Sequence, residues 1–161
     1  YMHMHVILPH QPFVFDSEGN KVKNHGSTTR FDVELKEQYL QQTIFTNKKI
    51  IEIVDSIQQR NSNDVIIIMS DHGGRFGVNW TEPSEMDYFR GLNNLFAVSF
   101  PEKESQIPTS ISAVNTFRVF FNTYFNTNYT ILDEKMFWYS PEMPFIQKDV
   151  TEFIKNSSLR Q

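Results

Sequence analysis

One stretch of the chain sets a carboxylate beside an imidazole where a strand should end: Ile66, Ile67, Ile68, Met69, Ser70, Asp71, His72, Gly73 and Gly74 in succession. The apolar run 65–69, rich in β-branched residues, suits a strand buried on both faces. In open α/β sheets, ligands collect at the carboxyl ends of such strands. Asp and His together offer one oxygen and one nitrogen donor, a set suited to a borderline cation such as Zn²⁺ or Mn²⁺. The two glycines that follow permit a sharp turn and close approach of backbone. The competing reading is plain: Asp71 is a turn or cap residue, and His72 is hydrogen-bonded to backbone.

His10 is the second residue with chemical potential. It lies in the loop Pro9-His10-Gln11-Pro12, just past the apolar triplet Val6, Ile7 and Leu8. An imidazole there could bind a substrate oxygen, protonate a leaving group or ligate a metal; equally, it could cap the loop. His3 and His5 share one face by the two-residue period of a strand and read as core or supporting residues. His25 falls in the polar excursion 16–30 and reads as solvated. Ser27, Thr28 and Thr29 lack the strained elbow or adjacent base that activates a hydroxyl. Arg75 and Arg118 could meet an anion, although packing roles suit them better. Sequons at Asn79, Asn128 and Asn156 matter only to a chain in a eukaryotic secretory compartment.

The elements that must hold these residues follow from periodicity. Residues 2–8 read as a strand stopped by Pro9. No Gly or Pro occurs from Ser27 to His72. Leu40, Ile44, Ile51 and Val54 recur at helical spacing, as do Ile50, Ile53 and Ile57, which predicts an amphipathic helix over 34–60 with its apolar face inward. Turn residues at 61–64 precede the run at 65–69. Strand, helix, strand is a βαβ unit with a right-handed crossover. Such a unit would set strands 2–8 and 65–69 parallel and bring His10 to one rim with Asp71 and His72. Residues 75–91 read as a mixed loop and 95–100 as a further strand. Ser112 is the expected N-cap of a second helix. The aromatics at 117, 120, 121, 124 and 125 on that helix read as core. The last thirty residues, with prolines at 141 and 144, read as an irregular tail with a short helix near 147–156.

Composition narrows the classes. The chain has 161 residues, 39% of them hydrophobic and 21% charged, so it reads as one folded domain rather than a disordered segment. Its 15 basic and 19 acidic residues leave a net charge of −4, which argues against a nucleic-acid partner. The absence of cysteine excludes disulfides and thiolate metal sites. No apolar run approaches the length of a transmembrane segment. Opening on Tyr1 and running directly into a strand, the sequence reads as a piece of a longer chain.

Three segments together resemble the alkaline-phosphatase-like superfamily, in its sulfatase and lipoteichoic-acid-synthase-like branch. Residues 5–15 (HVILPHQPFVF) are similar to the strand and loop that carry an active-site histidine. Residues 39–57 (YLQQTIFTNKKIIEIVDSI) resemble the helix before the metal strand, and 65–74 (VIIIMSDHGG) the S-D-H-G metal motif. The segment 112–126 (SAVNTFRVFFNTYFN) looks like a helix of bacterial membrane-anchored members. The resemblance implies an α/β fold, three-layer α/β/α with a mostly parallel sheet, of which this chain is the C-terminal part and 127–161 the tail. It implies a metal-dependent hydrolase or transferase of phosphate or sulfate esters. Asp71 and His72 would ligate a divalent metal cation (Zn, Mn, Mg or Ca), and His10 would face the substrate or a second metal. By the same resemblance the parent protein is membrane-anchored with this domain outside the cytoplasm. The family's nucleophile and first acidic ligand lie upstream, and no segment here matches them. The chain alone is therefore expected to be inactive, to bind metal weakly and to need the missing N-terminal half. With no histidine after His72, one metal fits better than two, and the Asp-His pair favours phosphoesters. The alternatives are a non-catalytic binding or scaffold module with a relic metal motif, and self-association through an unpaired sheet edge.

Overall fold

The computed structural model describes residues 1–23, 35–103, 107–108 and 111–157. The chain divides into two compact units, Tyr1–Ser62 and Asn63–Gln161, with the division in the turn-forming 61–64 segment.

In the N-terminal unit, residues 1–7 are exposed and form no strand. This corrects the expected strand at 2–8. Val6 to Leu8 have the right side chains, but a strand exists only by pairing, and no ladder partner adjoins them among the described residues. His3 and His5 are accordingly exposed, not core. The loop then turns back through an isolated bridge between Phe15 and Lys21. It packs against helix α1 (Lys36–Arg60), close to the expected 34–60. The helix presents an unexpected face to this loop. Gln42 and Thr46 are buried, Tyr39 meets Phe13 edge-on, and Phe45 meets Phe15. Leu40, Ile44 and Ile51 remain 48%, 37% and 60% exposed. Ile50, Val54 and Ile57 are half-buried, so the expected apolar positions are only partly covered, while Gln42 bonds the loop.

The C-terminal unit holds the remaining elements: β1 (Ile66–Met69), α2 (Glu85–Leu92), β2 (Phe96–Ser99), α3 (Ala113–Phe125), β3 (Phe137–Ser140), β4 (Met143–Asp149) and α4 (Thr151–Lys155). β1 pairs antiparallel with β2, Ile66 opposite Ser99 and Met69 opposite Phe96. β3 and β4 form an antiparallel hairpin with an irregular register between Trp138 and Ser140. These are two separate two-stranded sheets. The expected three-layer α/β/α architecture with a mostly parallel sheet is therefore incorrect, as is the βαβ unit. An apolar run such as 65–69 specifies a strand but not its direction, and here it is half-buried rather than covered on both faces as expected. Its partner turned out to be the later strand 96–99, reached through α2.

Local chemistry explains the helices. The Ser84 hydroxyl accepts from the Asp87 amide at 3.3 Å, and the Asp87 carboxylate accepts from the Ser84 amide at 2.9 Å. This reciprocal capping box starts α2 inside the span read as loop. Ser112 caps α3 as expected, its hydroxyl accepting from the Asn115 amide. The α3 aromatics divide: Phe120 and Tyr124 pack on the buried Phe100, whereas Phe117, Phe121 and Phe125 are exposed. Asn115, fully buried, instead ties α3 to the following chain, donating to the Leu132 carbonyl at 2.8 Å and to Glu134 at 2.9 Å. Burial acts to raise the Glu134 pKa, but hydrogen bonds from Asn115 and Ser112 outweigh it and hold the carboxyl below its usual range.

The core is Val78, Tyr88, Trp138, Val150 and Ile154, with Trp80, Leu92 and Met136 against it. Trp80 stacks on Trp138 and Tyr88 meets it edge-on, each at 5.0 Å between ring centroids. The span read as an irregular tail thus supplies a hairpin and its Trp138 to the core, and the short helix expected near 147–156 forms at Thr151–Lys155.

Candidate metal site at the end of the first strand

Ser70 ends β1, and Asp71 and His72 follow in the loop leading to Gly73. The β-branched run carries the chain straight to this point. The loop then bends against the C-terminal end of α2, where the Gly73 amide donates to the Gly91 carbonyl at 3.1 Å. The Asp71 side chain is 89% exposed and that of His72 34% exposed. The His72 Nδ1 lies 2.8 Å from the Gly73 carbonyl. A carbonyl can only accept, so Nδ1 carries a proton, and in the neutral form of the ring the lone pair lies on Nε2. That Nε2 lies 3.6 Å from Asp71 Oδ2.

One nitrogen donor and one oxygen donor thus converge at an accessible point. The ring is oriented by a backbone carbonyl, a common outer partner of metal-bound histidine. The pair fits a divalent cation in donor type and tautomer. It is incomplete in number, because no group of three or more His, Asp or Glu side chains that could hold a metal forms among the described residues.

His10 belongs to the N-terminal unit, whereas Asp71 and His72 belong to the C-terminal unit. Without a strand at 2–8, the βαβ basis for a rim shared by all three is gone. His10 is exposed, and its Nδ1–H donates to the Gln11 carbonyl at 2.6 Å. Its backbone carbonyl accepts from Gln42 Nε2 at 3.0 Å. Gln42 therefore positions the His10 loop, a role that sequence reading missed. Its signal was a polar residue in register with Thr46 on one helix face.

The other residues singled out are now placed. His25 and Ser27, Thr28 and Thr29 lie outside the described residues. Arg75 is half-buried with its guanidinium over the Trp80 ring at 5.3 Å, and Arg118 donates to the Thr130 carbonyl at 3.0 Å; both are packing roles. Asn79, Asn128 and Asn156 are exposed. Among the described residues, no helix is long and apolar enough to cross a membrane. No protein-family model matches the chain, and neither a curated protein nor a solved structure matches it.

Proposed function

We propose that Asp71 and His72 are two protein ligands of a divalent-cation site serving hydrolysis or transfer of phosphate or sulfate esters. The observation that carries this reading is the geometry of the pair. The His72 Nδ1–H is held by the Gly73 carbonyl, which leaves Nε2 3.6 Å from the Asp71 carboxylate at an open position. The S-D-H-G motif resembles the metal motif of the sulfatase and lipoteichoic-acid-synthase-like branch, and that resemblance supplies the ester chemistry. A cation there would lower the pKa of an attacking hydroxyl and neutralise charge on the transferred group. Asp71 contributes charge to hold the cation, and His72 contributes a neutral nitrogen of fixed tautomer. In this reading the parent protein is anchored at a membrane and works outside the cytoplasm.

Two ligands do not complete a coordination shell, so this chain should bind the cation weakly and turn over no ester by itself. Calorimetric titration with Zn²⁺ or Mn²⁺ tests the site. Uptake that weakens at least about tenfold in Asp71→Ala supports it. Equal heats from the parent chain and the variant would overturn it, as would Asp71-dependent cleavage of an aryl phosphate by this chain overturn the expected inactivity.

A separate observation favours a second reading, a non-catalytic binding or scaffold module. The exposed Leu40, Ile44 and Ile51 form an apolar stripe on α1, and such stripes mark partner surfaces. Sedimentation mass that rises with concentration and returns to that of one chain in Ile51→Glu would support docking or self-association through α1. A concentration-independent mass would remove that self-association.

A further inference from the structure

We propose that Ser70 is the positioning residue of the Asp71–His72 pair, an inference that rests on the cation reading above. Every polar group of Ser70 is engaged. Its amide donates to the Leu95 carbonyl at 3.0 Å. Its carbonyl accepts from Asn94 Nδ2 at 2.9 Å. Its hydroxyl accepts from the Leu95 amide at 2.8 Å and donates to the His72 carbonyl at 3.2 Å. A serine hydroxyl has one proton to give, and here it goes to the residue that presents the candidate nitrogen ligand.

The bonds divide by purpose. The amide and carbonyl of Ser70 join the end of β1 to the turn before β2, and that alone would terminate the strand. The hydroxyl proton reaches two residues onward, across Asp71. With the Gly73 amide bound to the Gly91 carbonyl on the other side, the backbone at 71–72 becomes an arch held at both feet. The side chains on it stay open to solvent. Two donors share one cation only when their separation and direction are held within narrow limits, and a clamped backbone does this without covering the site.

Removing the hydroxyl should therefore separate two effects. The Leu95 amide belongs to an exposed residue and can turn to water, so Ser70→Ala should melt close to the parent chain. The arch should lose its restraint. A residue that only ended the strand would not produce that combination.

The experiment is NMR on the 161-residue chain and its Ser70→Ala, Ser70→Thr and Asp71→Ala variants, with two readouts. The first is the tautomer of the neutral His72 ring, read from long-range proton–nitrogen correlations with no metal present. The parent chain and Ser70→Thr should hold the proton on Nδ1, whereas Ser70→Ala should shift toward Nε2–H as the bond to Gly73 loosens. The second is Mn²⁺ broadening of the His72 ring signals. Half-broadening should require about tenfold more Mn²⁺ in Ser70→Ala than in the parent chain, with Ser70→Thr unchanged. An unchanged tautomer in Ser70→Ala overturns the positioning role whether or not Mn²⁺ binds. Broadening absent from the parent chain, with the tautomer shift present, overturns the cation reading while leaving the clamp in place.

Discussion

Gly73→Ala is expected to unfold or severely loosen the C-terminal unit. A Cβ at this position would overlap the Arg90 carbonyl oxygen and come within 2.5 Å of that of Asn93. Both obstacles are backbone at the end of α2, so no side-chain rotation relieves them. The Gly73 amide also bonds the Gly91 carbonyl, so moving the loop away sacrifices that bond. Overpacking against fixed backbone belongs at the upper end of its usual range, about 3 kcal/mol. For a unit of this size, that is a fall in melting temperature of more than about 10 °C. Gly74→Ala is the matched control. Nothing lies within 4 Å of its Cβ, and it should melt with the parent chain. Calorimetry of the two variants decides the matter: equal melting would mean that the loop is not seated on α2 as described. Any part of Gly73→Ala that stays folded should also lose the His72 tautomer, because the accepting carbonyl belongs to the displaced residue.

Gln42→Leu should have an effect of similar size on the N-terminal unit. The Gln42 side chain is fully buried, and its two ends serve different backbone groups. Oε1 accepts from the Val14 amide at 2.8 Å and the Phe15 amide at 3.3 Å, and Nε2 donates to the carbonyls of His10 at 3.0 Å and Pro9 at 3.3 Å. Leucine fills nearly the same space and satisfies none of them. Each stranded buried group costs about 1–3 kcal/mol unless water reaches it, so a total of about 3–5 kcal/mol is expected. A unit this small has little stability to lose. Hydrogen exchange at Val14 and Phe15 is the direct measurement. Both amides should lose protection in Gln42→Leu. Gln42→Glu should fall between, because it keeps the acceptor and loses the donor to His10. Unaltered protection in the leucine variant would show that the loop does not depend on α1 for its position.

The close backbone approach at Gly73 was legible in the glycine pair, whereas the burial of Gln42 was not. Periodicity on α1 was strong, and the helix formed within two residues of its expected start. Of its apolar positions Ile50, Val54 and Ile57 are half-buried while Leu40, Ile44 and Ile51 are exposed, because burial is decided by what lies opposite. Here the opposing surface is a loop whose Val14 and Phe15 amides and Pro9 and His10 carbonyls bond the Gln42 side chain, while Thr46 beside it donates to the Gln42 carbonyl within the helix. The α3 aromatics teach the same lesson: two of five meet Phe100, and Asn115 holds the buried position. The capping box at Ser84 and Asp87 was written in the sequence as S-x-x-D. It passed unread because the helix it starts is only eight residues long and follows a loop-like run.

What the sequence alone determined about this protein is what neighbouring residues settle among themselves. Helices at 36–60 and 113–125 and the Ser112 cap depend on contacts within a few positions, and the extended tendency of the runs near 66–69 and 96–99 comes from their own side chains. The closeness of Asp71 and His72 depends on a single peptide link. Tertiary structure decided strand direction, the pairing of β1 with β2, the hairpin in the last thirty residues and the face each helix buries. It also decided that His10 and the Asp71–His72 pair fall in separate compact units. Each of those outcomes joins segments far apart in the chain. Their energy comes from hydrogen bonds and packing that exist only after the distant partner has arrived.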